Sequence, residues 1–158
     1  MAKRFVFRLE TLLKIRQQRE EWQQRIVAGR LRQIQETRRR IADLEQRMHA
    51  GQEAVRDSQR RGRIDLQQAM HYRHWIGHLH KNVLETQSHL GYLEAELVRE
   101  RAALSEAAKQ RKILDKLKER QWQRHLRGED RREVNEADEL ATVRFVFDRD
   151  TKQELVHT

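Results

Sequence analysis

The sequence predicts an all-α protein, a long antiparallel two-helix coiled-coil hairpin with a projecting C-terminal helix end. Three observations favour this fold. The 158 residues include no proline, a residue that interrupts helices. Apolar residues recur every seven positions in two separate segments, which is the spacing of a left-handed coiled coil. A glycine suited to end a helix lies between the two segments, where the chain must reverse.

Helix one is predicted at about residues 4–57 by a heptad row that starts at Val6. Seven of its eight positions are apolar, although the segment is rich in Arg, Gln and Glu. The row comprises Val6, Leu13, Glu20, Val27, Ile34, Ile41, Met48 and Val55. A second row, three positions further on, runs from Leu9 to Gly51 and is much weaker. We therefore expect a helix contact that is loose in the middle.

A turn is predicted at about residues 58–64, between the two heptad segments. Gly62 can adopt the left-handed conformation that ends a helix. Asp65 has the character of an N-cap for the helix that follows. The alternative is a tolerated glycine within one continuous helix. The turn is favoured because the glycine and the cap coincide with a break in the heptad phase.

Helix two is predicted at about residues 65–145 and has the cleaner seam. Stepping by seven meets only apolar residues, at Ile76, Val83, Leu90, Leu97 and Leu104. The companion row contains Tyr72, Leu79, Thr86, Leu93, Glu100, Ala107 and Leu114. At 1.5 Å per residue the helices are roughly 80 and 120 Å long, so helix two should project beyond the N-terminus. The tail, 146–158, should be flexible, and residues 1–158 should form a single coiled-coil domain.

Four of the eight histidines lie in the stretch HYRHWIGHLH, yet this cluster does not indicate a metal site. His71, His74 and His78 share a face turned away from the partner helix, where two histidines could hold a metal only weakly. The sequence contains no Gly-rich phosphate loop and no arrangement of a nucleophile with a base. We therefore expect no catalytic residue, no metal, no cofactor and no enzymatic activity.

An aromatic stripe near the predicted turn is broader than helix pairing requires. It comprises Tyr72, Trp75, Ile76 and Leu79. An aromatic residue beside a seam, close to the tip of a hairpin, is a reasonable anchor for a partner. The alternative is that Trp75 only covers the edge of the seam, and the sequence leaves both interpretations open.

The net charge of +9 is distributed unevenly along helix two. Residues 111–127 carry seven basic side chains against two acidic ones, and residues 128–139 are then mostly acidic. Exposed ion pairs add little stability, so this dipolar pattern favours partner binding over a role in folding. The alternative is a solvated helix of mixed charge.

Two stretches resemble the FliJ-type flagellar export proteins, and the resemblance extends over nearly the whole chain. The first is FVFRLETLLKIRQQRE, from Phe5 to Glu20. The second, from Ala107 to Phe145, is more specific, because in that family a K-x-LEKLKER core leads to an acidic DE pair and an RF-like end. The matching residues here are Lys112, Leu114, Leu117, Lys118, Arg120, Asp138, Glu139, Arg144 and Phe145. Asp115 stands where the family usually has glutamate.

The resemblance implies a non-enzymatic component of the flagellar type III protein export apparatus, similar to the central stalk of rotary ATPases. Members bind the hexameric export ATPase, promote its assembly and activity, and couple it to the membrane export gate protein. Some members also bind export chaperones. The resemblance therefore implies a cytoplasmic protein, peripheral at the cytoplasmic face of the inner membrane, without a transmembrane segment.

The resemblance also implies where the partners bind. The ATPase-binding residues are those at the end of the hairpin where the N-terminus meets the C-terminal signature. They are Phe5, Arg8, Leu9, Leu12, Leu13, Lys112, Leu114, Leu117, Lys118, Arg120, Trp122, Arg131, Arg132, Asp138, Glu139 and Phe145. The export-gate-binding residues are assigned instead from exposure alone, to the aromatic stripe of Tyr72, Trp75, Ile76 and Leu79.

Three alternatives stay open. One is the equivalent stalk protein of a virulence-type secretion system, although the stretch FRLETLLKIR favours the flagellar version. Another is a basic nucleic-acid-binding coiled coil, but acidic and basic residues are interleaved on both helices and aromatic residues are few, so no nucleic acid is expected. The third is binding of residues 1–16 to a membrane surface.

Overall fold

The computed structural model describes residues 3–62 and 65–156, with side chains described as far as Arg149. Two helices account for nearly all of these residues: α1, Glu10–Arg60, and α2, Leu66–Val156. The two helices pack against each other in antiparallel directions, and the described ranges contain no strand. The predicted all-α two-helix hairpin is therefore confirmed.

The chain divides into two compact units, and each unit takes a part of both helices. The hairpin unit comprises Gln17–Lys109 and contains the turn. The terminal unit combines the first sixteen residues with the chain from Gln110 onward. The expected single domain over the whole chain stays a prediction.

The core of the hairpin unit follows the predicted heptad rows. All of its buried apolar side chains lie on one of the four rows read from the sequence. They are Val27, Ile34, Leu44, Leu79, Val83, Leu93, Leu97 and Ala107. All but Ala107 form two clusters, one around Leu93 and Ile34 and the other around Leu44 and Leu79. Burial of one apolar stripe from each helix is what holds a coiled coil together.

Between the two clusters the seam is polar, as the weak second row of helix one predicted. Thr37 and Thr86 occupy row positions here and are only half-buried. Each hydroxyl donates to a carbonyl one turn earlier in its own helix, Thr37 to Gln33 at 2.7 Å and Thr86 to Asn82 at 2.6 Å. Because these hydroxyls are satisfied locally, this layer contributes no bond between the helices.

An ion pair joins α1 to α2 beside the first cluster. The Arg30 guanidinium donates to the Glu100 carboxylate through Nη2 at 2.8 Å and through Nε at 3.2 Å. The side chains are 24% and 14% exposed, so water is largely excluded from the contact. The hydrogen bond to Glu100 raises the pKa of Arg30 above its usual value, because the carboxylate favours the charged guanidinium. The ion pair stands where the seam would otherwise have an apolar layer, and it forms in only one register of the two helices.

Replacing this pair with two leucines should raise the melting temperature of the hairpin, whereas Glu100→Leu alone should lower it. The double substitution fills a half-buried layer with apolar volume, but the single one leaves the Arg30 charge without its carboxylate. Thermal unfolding followed by circular dichroism at 222 nm measures both effects. The same double replacement at the exposed pair Arg38–Glu94 is the control and should change the melting temperature little. A double variant that melts as low as the single one would contradict the prediction.

The turn confirms the roles predicted for Gly62 and Asp65. Gly62 has φ of 69°, and its amide donates to the Gln59 carbonyl at 3.2 Å. The Asp65 Oδ1 atom accepts from the Gln67 amide at 3.0 Å, which caps α2. The reversal is shorter than predicted, since α1 continues to Arg60. Residues 63–64 of the predicted turn lie outside the described residues.

The N-terminal bound differs from the prediction, because α1 begins at Glu10 rather than near residue 4. Phe7 is 5% exposed and Val6 is 75% exposed, so neighbouring side chains point in opposite directions. That alternation belongs to an extended segment, in which Phe5 and Phe7 share one face. The assignment of Val6 to the seam was therefore wrong, and Phe7 is buried instead.

The C-terminal bound also differs, because α2 continues past residue 145 to Val156. No glycine follows Gly128 and the chain has no proline, so nothing in the sequence stops the helix at the predicted position. Residues 157–158 of the predicted tail lie outside the described residues. Across the described residues, neither helix contains a stretch that is long and apolar enough to span a bilayer.

Candidate functional site

The terminal unit fastens the N-terminal segment to α2 through apolar and aromatic contacts. Phe7 and Leu13 form a buried cluster with Leu114. Phe5 packs against the same cluster, and its ring meets the Trp122 ring edge-on at a centroid distance of 5.2 Å. Such edge-to-face pairs stabilise a fold beyond the area they bury. The segment before α1 is therefore part of the packing of this unit.

Polar contacts reinforce this attachment. The Lys118 ammonium lies 2.8 Å from the Glu10 carboxylate, and the Arg16 guanidinium donates to the side chain of Gln110. Both contacts join α1 to α2. The Glu10 carboxylate also lies in the first turn of α1, where the helix dipole favours a negative charge.

The predicted ATPase-binding residues thus separate into two groups. One group holds the terminal unit together and comprises Phe5, Leu13, Leu114, Leu117, Lys118 and Trp122. The other group is exposed and comprises Arg8, Leu9, Leu12, Lys112, Arg120, Arg131, Arg132, Asp138, Glu139 and Phe145. The structure brings both groups together in one unit.

The last described part of α2 is uncovered. Every side chain in residues 130–149, which we call the overhang, is exposed. At about 100° per residue, the predicted binding residues Arg131, Arg132, Asp138 and Glu139 fall on one side of this helix. The charged residues on that side are exposed to a partner, and Arg132 is also paired with Glu129.

An apolar strip runs along the opposite side of the overhang, beside the charged residues Arg144 and Asp148, and the sequence analysis did not identify it. Phe145 is 70% exposed and Leu140 is 63% exposed. Val134, Ala137 and Ala141 lie on the same side, within an arc of about 140°. The spacing of three, four and four residues from Val134 to Phe145 was a signal that could have found this side. A partner can therefore meet either a charged or an apolar face.

In the hairpin unit, the aromatic stripe predicted to bind the export gate is only partly accessible. Leu79 is 5% exposed and belongs to the second core cluster. Tyr72 and Ile76 are half-buried, and Trp75 is 38% exposed. The Trp75 ring lies directly over Gly51, where a Cβ would be 3.2 Å from Cε3 and would overlap Cζ3. Trp75 thus covers the edge of the seam, and part of its surface remains exposed.

Gly51→Ala should fail to give the stabilisation that alanine normally brings to a helix interior, about 1 kcal/mol. The reason is that the new Cβ would displace the Trp75 ring. In a chain that already carries Trp75→Ala, the same substitution should stabilise the hairpin by about that amount. Urea unfolding of the four chains measures the coupling.

Gly91→Ala is the matched control for this pair, because a Cβ at Gly91 meets nothing within 4 Å. It should stabilise the hairpin whether or not Trp75 is present. Equal stabilisation by Gly51→Ala and Gly91→Ala in the unaltered chain would show that the Trp75 ring does not restrict position 51.

The clustered histidines near the start of α2 lie on the surface. His71, His74 and His78 are all exposed. Among the described residues there is no group of three or more metal-ligating side chains placed to hold an ion. In the same part of the chain, every buried side-chain nitrogen or oxygen has a hydrogen-bond partner. The surfaces that remain for function are the exposed faces of the two helices.

These features define a two-helix coiled-coil protein whose exposed, charged helix end is its most prominent surface for contact. The family model of the flagellar FliJ protein matches residues 5–148, and the chain belongs to that family. It is thus a component of the flagellar export apparatus, in agreement with the resemblance of its two terminal stretches. No curated protein and no solved structure matches the chain.

Proposed function

We propose that this chain is the central-stalk-like coiled coil of the flagellar type III export apparatus. It binds the hexameric export ATPase through the terminal unit, promotes assembly and activity of the ring, and couples the ring to the membrane export gate. It acts without enzymatic activity of its own. The observation that carries the proposal is the overhang, a stretch of helix exposed on every side in a member of a flagellar export family.

The overhang has the properties that insertion into a ring requires. A helix of about 20 residues is roughly 30 Å long, enough to extend into the pore of a hexamer. Its exposed charged and apolar sides differ, so it presents a different surface to each subunit around it. The contacts of Phe5 and Phe7 with α2 hold its base in place. A force on the overhang is therefore transmitted to the packed residues of the terminal unit.

The export gate is proposed to meet the exposed part of the aromatic stripe. Trp75 supplies most of the accessible aromatic surface there, since Leu79 is buried in the core. This assignment places the two partners on different units of the chain. The protein would then act in the cytoplasm, peripheral at the inner face of the membrane, where export chaperones are further candidate partners.

Membership of the flagellar family favours this function over the equivalent stalk of a virulence-type system. It also favours a protein partner over nucleic acid. The ion pairs that join basic to acidic side chains along both helices reduce the positive field that nucleic-acid binding needs.

The proposal is tested by mixing the purified chain with its cognate export ATPase. Ring formation and ATP turnover should both rise, and Arg131→Glu with Arg132→Glu should abolish the rise. These two arginines are exposed and lie in the overhang, so their reversal leaves the packing of the terminal unit intact. Reversal of Lys118 is less informative, because that residue forms an ion pair with Glu10.

The matched control reverses two neighbouring arginines of the hairpin unit, Arg39→Glu with Arg40→Glu. Both are exposed on α1, and the change in net charge equals that of the test variant. This control should stimulate the ATPase as well as the unaltered chain does. Unchanged ATP turnover on addition of the unaltered chain would count against the stalk proposal.

A further inference from the structure

A straight row of basic side chains runs along one face of α2 in the terminal unit. This basic stripe comprises Lys116, Arg120, Arg124, Arg127 and Arg131. The successive spacings of four, four, three and four residues keep all five within an arc of about 80° on the helix. The row is roughly 22 Å long at 1.5 Å per residue. All five side chains are exposed.

The stripe has no internal counter-charge. Within the described part of the chain, none of its five residues makes an ion pair or a side-chain hydrogen bond. Neighbouring cations that lie off the stripe are paired instead, as Lys118 is with Glu10 and Arg132 with Glu129.

This arrangement works against the stability of the helix. Like charges three or four residues apart on a helix repel each other, and the stripe contains four such neighbours in sequence. The crevice beside Arg124 also holds Lys3 and Arg4 from the N-terminal segment, and its one carboxylate, Glu129, is paired with Arg132. The crevice therefore adds to the positive potential beside the stripe. The carboxylates that flank the row, Glu119 and Asp130, form no ion pair with it among the described residues. The charge of the row is therefore available to a complement on another molecule.

We infer that the basic stripe is a docking surface for an acidic helix of a protein partner. Carboxylates at the same four-and-three spacing on a second helix would match the row residue by residue. Four of the five residues are arginines, whose forked guanidinium binds a carboxylate in a bidentate manner. The inference rests on the proposed function, because it specifies the chemistry of the partner surface that the terminal unit meets.

Two observations favour an acidic helix over nucleic acid. The aromatic side chains of this region, Trp122 and His125, pack with Phe5 and lie off the stripe, so they are not placed for base stacking. The stripe is also narrow, and Glu119 and Asp130 border it on one side. That border limits the positive surface to one row, which matches a single row of carboxylates on a helix.

The full chain is tested with a fluorescent helical peptide that carries four glutamates in one row at the spacing of the stripe. Fluorescence anisotropy should show binding that weakens with salt. Arg120→Glu with Arg127→Glu should weaken the binding about tenfold or more. The same variant should melt no lower than the unaltered chain, since it relieves repulsion within the helix. Loss of binding in this variant is therefore not a loss of folding.

Three comparisons decide the outcome. The Arg39→Glu, Arg40→Glu control should bind the peptide normally, and a peptide of the same composition with its glutamates distributed around the helix should bind clearly less. Equal binding of both peptides, tighter binding of a single-stranded RNA, or binding of vesicles with anionic lipid in place of the peptide would each overturn the inference. Peptide binding without stimulation of the export ATPase would instead contradict the proposed function and leave the inference standing.

Discussion

Ending the chain after Glu129 should abolish stimulation of the export ATPase and leave the thermal unfolding transition almost unchanged. Every described side chain among the residues removed is exposed, so their loss should alter the free energy of unfolding by less than about 0.5 kcal/mol. The same residues contain both faces of the overhang that a ring would contact. A coupled ATPase assay and circular dichroism of the same preparation measure the two effects.

The control for this truncation ends after Arg149 and keeps the whole overhang. It should stimulate the ATPase as well as the full chain does, because the exposed faces from Asp130 to Arg149 are retained. Full stimulation by the chain that ends after Glu129 would place the ATPase contact elsewhere, on the N-terminal segment or the covered part of α2. A large fall in its melting temperature would mean that the overhang packs against something in the free protein.

Leu93→Ala should destabilise the hairpin unit by about 2–4 kcal/mol. Leu93 is 3% exposed and packs with Val27, Ile34 and Leu97 in the larger of the two core clusters. Removing its side chain leaves a cavity in a core only two helices wide, where few neighbours can move in to fill it. Urea unfolding followed by circular dichroism measures the loss.

Leu84→Ala is the matched control for that substitution, since it makes the same change on the same helix at a side chain that is 53% exposed. Its cost should stay below about 1 kcal/mol. If the two alanine variants unfolded at the same urea concentration, the heptad rows would not be the source of the stability of the hairpin.

The core of the hairpin unit was predictable because its signal is long and periodic. A seven-residue repeat over many turns leaves little freedom in which residues face the partner helix. Positions such as Ile34 and Leu97 therefore fall in the seam whatever their exact neighbours. The polar layer at Thr37 was predictable for the same reason, as the point at which the second row loses its apolar residues.

The start of α1 was not predictable from periodicity. Val6 is apolar and lies seven residues before Leu13, so it fits the heptad row by coincidence. The alternation of Phe5 and Phe7 competes with that row, and tertiary packing of the two rings decides between them. Their packing against α2 is a contact between residues over a hundred positions apart, which local patterns do not report.

The sequence predicted where the candidate site lies, but not which of its residues hold the fold together and which are exposed to a partner. The charge reversal along helix two marks the region, yet it does not say which charges the fold uses. Lys118 is neutralised by Glu10 and Arg120 is not, although the two residues are two positions apart. That difference depends on the register between the helices. The apolar strip of the overhang was not predicted, because charged residues lie between its members and obscure their spacing in the sequence.

The reversal of the chain depends on one short link between the helices. Gly62 is the one described residue with a positive φ, and the link from Arg60 to Leu66 is only five residues long. If this joint straightened, each apolar row would keep its pattern and would find its complement on another molecule. Two extended chains would then exchange their second helices and form an intertwined dimer with the same contacts. The reversal at Gly62 thus determines whether the two helices pair within one molecule or between two molecules.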